Sequence, residues 1–255
     1  MIKKLNTYFY LIFLPAHLLF LYSLMNFDFN IKNAALVFLL WTLISGYGVG
    51  VGLHRLLSHK AFKTWRWAEI LVSYLGCLAI QGSPIFWVNM HRGYHHPFSD
   101  TEKDFHSPIK GKLWAYLLWP IMIEYKSIKF DFVQDLFRKK EQRILHFMYF
   151  FIVWLSWVLA YFISPALFYS LIIAQIITLH QEFCVNLFCH TGKGYRNFDL
   201  PDQSVNRYFF GLFFWGVGYH NNHHAKPNSY DFAYQKNEFD PTTILVQLIK
   251  IKPKL

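Results

Sequence analysis

The sequence predicts an all-α integral membrane protein, a four-transmembrane-helix bundle with a cytosolic helical cap holding a di-metal site, and three observations lead there. The 255 residues are 54% hydrophobic and only 16% charged, against about a quarter charged in an average soluble domain. Twenty-four of the twenty-five Lys and Arg residues fall on one side of the apolar stretches. Nine of the thirteen histidines are gathered as His54 and His59, His91, His95 and His96, the lone His190, and His220, His223 and His224.

Four stretches approach the ~20 apolar residues that cross a bilayer: 7–25, 34–53, 144–163 and 166–185. The first has no small-residue cleavage site and reads as a retained helix, not a signal peptide. Lys3 and Lys4 precede it, Lys32 alone lies between the first two spans, and the Ser164-Pro165 turn carries no cation. Positive charge collects on the cytoplasmic side, so both termini and every histidine cluster are expected in the cytosol. The segment from Trp67 to Val88 is apolar but broken by Gly76, Gln81, Gly82, Ser83 and Pro84, and is expected to be re-entrant or interfacial. The aromatic stretch from Ser204 to Val217 is expected at the interface, with Gly211, Gly216 and Gly218 permitting close packing. No repeat or Gly/Ser linker divides the chain, so residues 1–255 form one domain, with metal-site segments at 54–143 and 186–255. The net charge of +10 accompanies no nucleic-acid-binding module, and is read as attraction to anionic lipid headgroups. Cys77, Cys184 and Cys189 lack CxxC spacing and read as reduced packing residues.

Imidazole is a common transition-metal ligand. Zinc sites take about four ligands, so nine imidazoles imply two ions. Residues three and four apart share a helix face, which suits His220, His223 and His224. His54 and His59 are five apart, about 140° around an α-helix, so either the helix ends between them or they serve different metals. In His91-Arg-Gly-Tyr-His95-His96 the last imidazole rotates away from the first, and Gly93 offers a place for a bulge that restores convergence. Asp100, Glu102, Asp104 and Glu182 do not recur with the histidines, and are read as solvated or as hydrogen-bonding partners of ligands. An imidazole-only set leaves the metal charge to be balanced by oxygen species, which suits iron better than zinc.

The segments GVGVGLHRLLSHKAFKT, QGSPIFWVNMHRGYHHPFSDTEKDFHSP and GVGYHNNHHAKP, with EFDPT after the last, resemble the three histidine boxes of the membrane fatty-acid desaturases, especially the acyl-CoA and acyl-lipid enzymes related to the stearoyl-CoA delta-9 desaturase. The likeness runs from about Gly46 to Thr243. It implies two iron ions bound by the eight box histidines, with His190 as a ninth and Asn186 in contact through water, and O2 as co-substrate. The second box is one residue longer than the family's usual HxxHH, which weakens the case for His91, and Tyr219 stands where tryptophan is usual. No cytochrome b5 domain follows the core, so a ferredoxin- or cytochrome b5-type protein is expected to supply electrons. Gln81, Trp87 and Trp215 are read as lining a substrate channel or as packing residues. His180 is read as substrate-proximal, supporting the metal ligands, or structural. His17 and His146 read as hydrogen-bonded helix residues and His106 as a turn ordering the loop after the second box.

The activity implied is desaturation of a long acyl chain carried on CoA, acyl-carrier protein or a lipid, in the bacterial inner membrane. A di-iron hydroxylase or alkane monooxygenase is the nearest alternative. A metal transporter would need polar residues along a membrane pathway, and the spans offer few.

Overall fold

The structure, a computed structural model describing residues 5–251, is helical throughout; among these residues there is no strand, only isolated bridges such as Thr64 with Lys250. The termini and the charges of Lys3, Lys4, Lys252 and Lys254 lie outside the described residues. In chain order the principal helices are α1 (Phe9–Asn26), α2 (Ile31–Ser58), α3 (Arg66–Cys77), α4 (Pro84–Asn89), α5 (Lys140–Phe147), α6 (Tyr149–Ile163), α7 (Pro165–Phe188), α8 (His220–Ala225) and α9 (Pro241–Ile249), with short helical turns between several of them.

Three of these, α1, α2 and α7, are long and apolar enough to cross a membrane. The second span reaches beyond the expected 34–53 and carries His54 with it. The expected third span, 144–163, is interrupted: α5 and α6 meet at a 70° bend, so a fourth crossing exists only if the pair is counted as one. Composition explains the bend, because Lys140, Glu141 and Arg143 occupy α5 whereas α6 carries no charged residue. Helix starts follow local chemistry. The Asn30 side chain accepts from Asn33 N–H, and Ser164 accepts from Leu167 N–H beside Pro165 at the first helical position.

Helix α7 is central and packs against α1, α2 and α6. Its Ile172, Ala174, Ile176 and Leu179 are buried, whereas Leu18, Met25, Phe38 and Phe162 on the surrounding helices face outward. Two polar ties fix it in the apolar interior. Trp157 Nε1 donates to Gln175 Oε1 (2.7 Å), and Trp41 Nε1 donates to Gln181 Oε1 (3.0 Å) while Gln181 Nε2 reaches Ser45 Oγ (2.9 Å). Interhelical bonds of this kind contribute roughly 0.6–1.7 kcal/mol each.

The second half of α2, Thr42–Ser58, is π-wound and almost entirely buried. It lies against α3, and a Cβ on Gly48 would stand 2.7 Å from the Leu75 carbonyl carbon and 2.8 Å from Gly76 N. The N-terminal end of α1 and the C-terminal ends of α2 and α7 share one end of the bundle, since Tyr8, His54 and Asn186 line one cavity. Gly48→Ala is therefore expected to cost ~1–3 kcal/mol through overpacking, lowering the thermal midpoint in detergent by several degrees. Ala35→Leu, on the exposed outer half of α2, should leave that midpoint unchanged.

Candidate metal centre

Backbone winding solves the spacing problem of the first two clusters. His59 N–H bonds His54 C=O at 3.2 Å, an i→i+5 bond, and the two rings lie 5.2 Å apart. The helix continues as a π-helix through this turn, so residues five apart share a face. Met90–His95 repeats the device, with His96 N–H bonded to His91 C=O. His91 and His96 then meet at 3.1 Å between Nε2 atoms, while His95 faces elsewhere. A full π turn does this rather than a local bulge at Gly93. The glycine is needed for another reason, as a Cβ there would fall 2.2 Å from the Phe132 ring.

The nine histidines form two groups, in each of which the candidate ligand nitrogens all lie within 4.8 Å of one another. The first contains His54, His59, His91, His96 and His223, with Nε2 separations of 2.9 Å for His54 and His223, 2.9 Å for His59 and His91, and 2.8 Å for His96 and His223. The second contains His95, His190, His220 and His224, with separations of 2.8 Å for His190 and His220, 3.0 Å for His220 and His224, and 3.2 Å for His95 and His224. Helix α8 serves both groups. His220 and His224, four apart, face one group, and His223 faces the other.

Hydrogen bonding tests whether these residues fit a metal. His95 Nδ1 donates to Asp104 Oδ2 (3.0 Å), His190 Nδ1 to Asp100 Oδ2 (3.1 Å) and His224 Nδ1 to Asp202 Oδ2 (2.9 Å). A carboxylate only accepts, so in the neutral rings each Nε2 carries a lone pair. The lone pairs of His95 and His224 consequently face each other at 3.2 Å. Two acceptors at that distance repel, and a shared cation removes the conflict. The fit is good, and it includes the carboxylate–imidazole–metal pattern of known sites. Burial, reinforced by neighbouring imidazoles, pushes the pKa values of His91, His96, His220, His223 and His224 well below the ordinary histidine value, so these rings are neutral. Burial together with the Arg55 and Arg92 cations holds His59 down at about 3. Burial raises the Asp104 carboxyl, but His106 and His95 outweigh it and the group stays ionised.

Further side chains hold these rings in place. Arg55 and Asp240 form a fully buried ion pair (2.7 Å). The guanidinium also donates to Tyr230 O and Gly50 O and lies 3.7 Å from the Phe232 ring centroid. Phe232 in turn packs on His223 at 4.4 Å and His54 at 5.3 Å. Asn222 Oδ1 accepts from Asn197 and Asn206, and its Nδ2 donates to Glu238 Oε2 (2.9 Å), which orients α8. Gly211 and Gly218 do allow close approach here, since a Cβ at either would lie 2.3–2.4 Å from neighbouring atoms. Sequence reading missed Asp202, Asn222 and Phe232, and singled out Asp240 only as part of the EFDPT segment, with no role. Nothing in their spacing marks them, except that Asn221-Asn222 lies inside the third cluster.

A narrow cavity of about 60 Å³ runs along the histidines. Gln81, Trp87, Glu182 and Asn186 line it beside His54, His91, His95 and His220. Trp87 stacks on His91 at 5.0 Å and donates to Gln81 Oε1 (2.9 Å). Tyr8 and Phe86 also border a second cavity of about 280 Å³ that reaches Ser83, His146 and Tyr149. Trp215 is placed elsewhere, packing on Trp41 at 4.9 Å. His180 does not line the cavity either. Its Nδ1 accepts from the Tyr116 hydroxyl (2.9 Å), and its Nε2 meets His17 Nε2 at 3.1 Å, while His17 Nδ1 donates to Phe13 O. His106 is more than a turn residue. It is buried against His95 (4.5 Å) and Asp104, and these three form a further group close enough to share an ion. His146 is held by Ser83 Oγ (2.6 Å), Glu102 is exposed, and all three cysteines are free.

The model of the family described as fatty acid desaturase matches residues 33–237. The chain is 34% identical to the sn-2 palmitoyl-lipid 9-desaturase of Nostoc sp. (strain 36) over 84% of its length and 77% of that protein's. It is 32% identical to the sn-1 stearoyl-lipid 9-desaturase of Anabaena variabilis over 98% of the chain and 91% of the relative. With the acyl-CoA C20 delta5-desaturase of Anemone leveillei it shares 30% identity, over 98% and 81%.

Asp240→Ala leaves the Arg55 cation buried and unpaired, which costs ~3–5 kcal/mol; a sharp fall in thermal midpoint and in retained metal should register it. Acid should also destabilise the metal-free protein. An unfolded imidazole binds its proton near 6.5, whereas folded His59 refuses it until about 3. Stability is therefore complete above pH 6.5 and is lost as the pH falls through that window. Thermal midpoints of metal-free protein measured across the window check this, and a flat profile contradicts it.

Proposed function

The chain belongs to the fatty acid desaturase family, and we propose that it inserts a cis double bond at the delta-9 position of a long saturated acyl chain. The carrier is a membrane lipid or CoA, as the names of the relatives suggest for those proteins. A single observation carries the reading: nine imidazoles are gathered into two neighbouring groups, and His54, His91, His95 and His220 of them line one cavity. His54, His59, His91, His96 and His223 would hold one iron ion, and His95, His190, His220 and His224 the other, with Asn186, which lines the same cavity, as the residue to contact metal through water.

When bound, the iron pair with O2 supplies the redox chemistry that removing hydrogen from unactivated methylene groups demands, which no amino-acid side chain can provide. No further catalytic side chain is assigned. The protein's part is to bind and orient. Trp87, fixed by Gln81 and stacked on His91, forms a rigid wall for the acyl chain. The cavity of about 60 Å³ at the histidines is too small for a whole acyl chain, so the cavity of about 280 Å³ beyond Tyr8 and Phe86 supplies the remaining length. The apolar part of the lining, Phe86, Met90, Leu179 and Val217, keeps bulk water from the reacting carbons.

Three long apolar helices fit a membrane-embedded protein. The asymmetry of Lys and Arg supports the histidine-bearing end facing the cytosol of a bacterial inner membrane. There a separate ferredoxin- or cytochrome b5-type protein delivers electrons.

Expression in a host lacking desaturases, followed by gas chromatography and mass spectrometry of total fatty acids, tests the activity. A new cis-monounsaturated acid should form with the natural chain and fall below detection with His223→Ala. A hydroxylated product without an alkene, or an unchanged profile from iron-loaded protein, contradicts the proposal.

A further inference from the structure

Ligand number is not the only difference between the two histidine groups. In the four-imidazole group, His95, His190 and His224 each donate their distal N–H to a different aspartate, at 3.0, 3.1 and 2.9 Å. Among the described residues, no carboxylate pairs with any imidazole of the five-membered group within 4.0 Å. His223 Nδ1 there is buried without a hydrogen-bond partner, as is His220 Nδ1 in the other group, so the difference in pairing lies in the three aspartates alone. Cations stand on that side instead. Arg55 lies over Phe232, which packs on His54 and His223, and Arg92 of the second cluster donates to Ser58 O beside His59.

A carboxylate hydrogen-bonded to the far nitrogen of an imidazole makes the near nitrogen a stronger donor and brings negative charge toward the metal. Both effects favour the higher oxidation state of an iron ion. Three such aspartates on one side and none on the other cannot leave the two positions equal.

Resting on the di-iron reading above, we propose that the two metal positions are electronically inequivalent, with Asp100, Asp104 and Asp202 as positioning residues that give the four-imidazole position the lower reduction potential. Each iron takes one electron in passing from the ferric to the ferrous state. An ion held by the five imidazoles would accept the first electron from the reductant, and one held by the four imidazoles the second.

The test uses full-length protein in detergent loaded with 57Fe, titrated with dithionite and followed by Mössbauer spectroscopy and iron analysis. Wild-type protein should hold two irons per chain that reduce in two resolved steps. Asp202→Asn and Asp100→Asn should move the second step to higher potential and alter one quadrupole doublet, leaving the other in place. Asp202→Glu should return that step toward its original position, a recovery that a purely structural role would not tie to the carboxylate. Asp199→Asn, an equal charge change at an exposed site in the same loop, should move neither step. Fewer than two irons in the wild type overturns both the di-iron reading and this inference. Two irons with both doublets shifting together, or neither shifting, overturns the inference alone.

Discussion

The i→i+5 hydrogen bonds at the two histidine turns are the constraint on which the site depends. His59 N–H to His54 C=O and His96 N–H to His91 C=O align residues five apart, which an α-helix would hold about 140° apart. Without that register four of the five imidazoles in the first group would not face one another. The same turn sends His95 to the second group, so one segment of chain serves both. π-Helical turns are rare and are found most often at functional sites, and here the function of the winding is visible in the geometry.

Rigid support follows from the same need. His95 and His224, whose Nδ1 atoms both donate to aspartates, point Nε2 lone pairs at each other across 3.2 Å and repel unless a cation lies between them, so in its absence the scaffold must bear that strain. Three aspartates fix tautomers, the Asn222–Glu238 network fixes α8, and the buried Arg55–Asp240 pair ties the C-terminal segment to the end of α2. A buried ion pair is a poor source of stability but a specific one, since it tolerates no alternative partner. Phe232, held by that pair, reaches the histidines directly.

Much of this was legible in the sequence. The apolar stretches gave three helices and the course of α6, and the histidine clusters named the nine residues that meet. The break at Met148 could have been read from Lys140, Glu141 and Arg143, which resist burial in an apolar span. The π winding could not, because it depends on how α2 packs against α3 and how the second cluster sits over Phe132. Asp100 and Asp104 lie beside a cluster and were open to a supporting role. Asp202 lies 22 residues before His224, joined to it only by folding. Trp215 and His180 have the chemistry of a substrate channel but are turned toward Trp41 and His17.

Iron K-edge X-ray absorption of the purified, iron-loaded protein tests the central claim most directly, because it reports the ligand atoms themselves. Two irons per chain with a first shell of light atoms and the multiple-scattering pattern of several imidazole rings per iron is the result this structure predicts. A first shell containing sulfur, or one with too little imidazole scattering to account for nine rings shared between two ions, would contradict it.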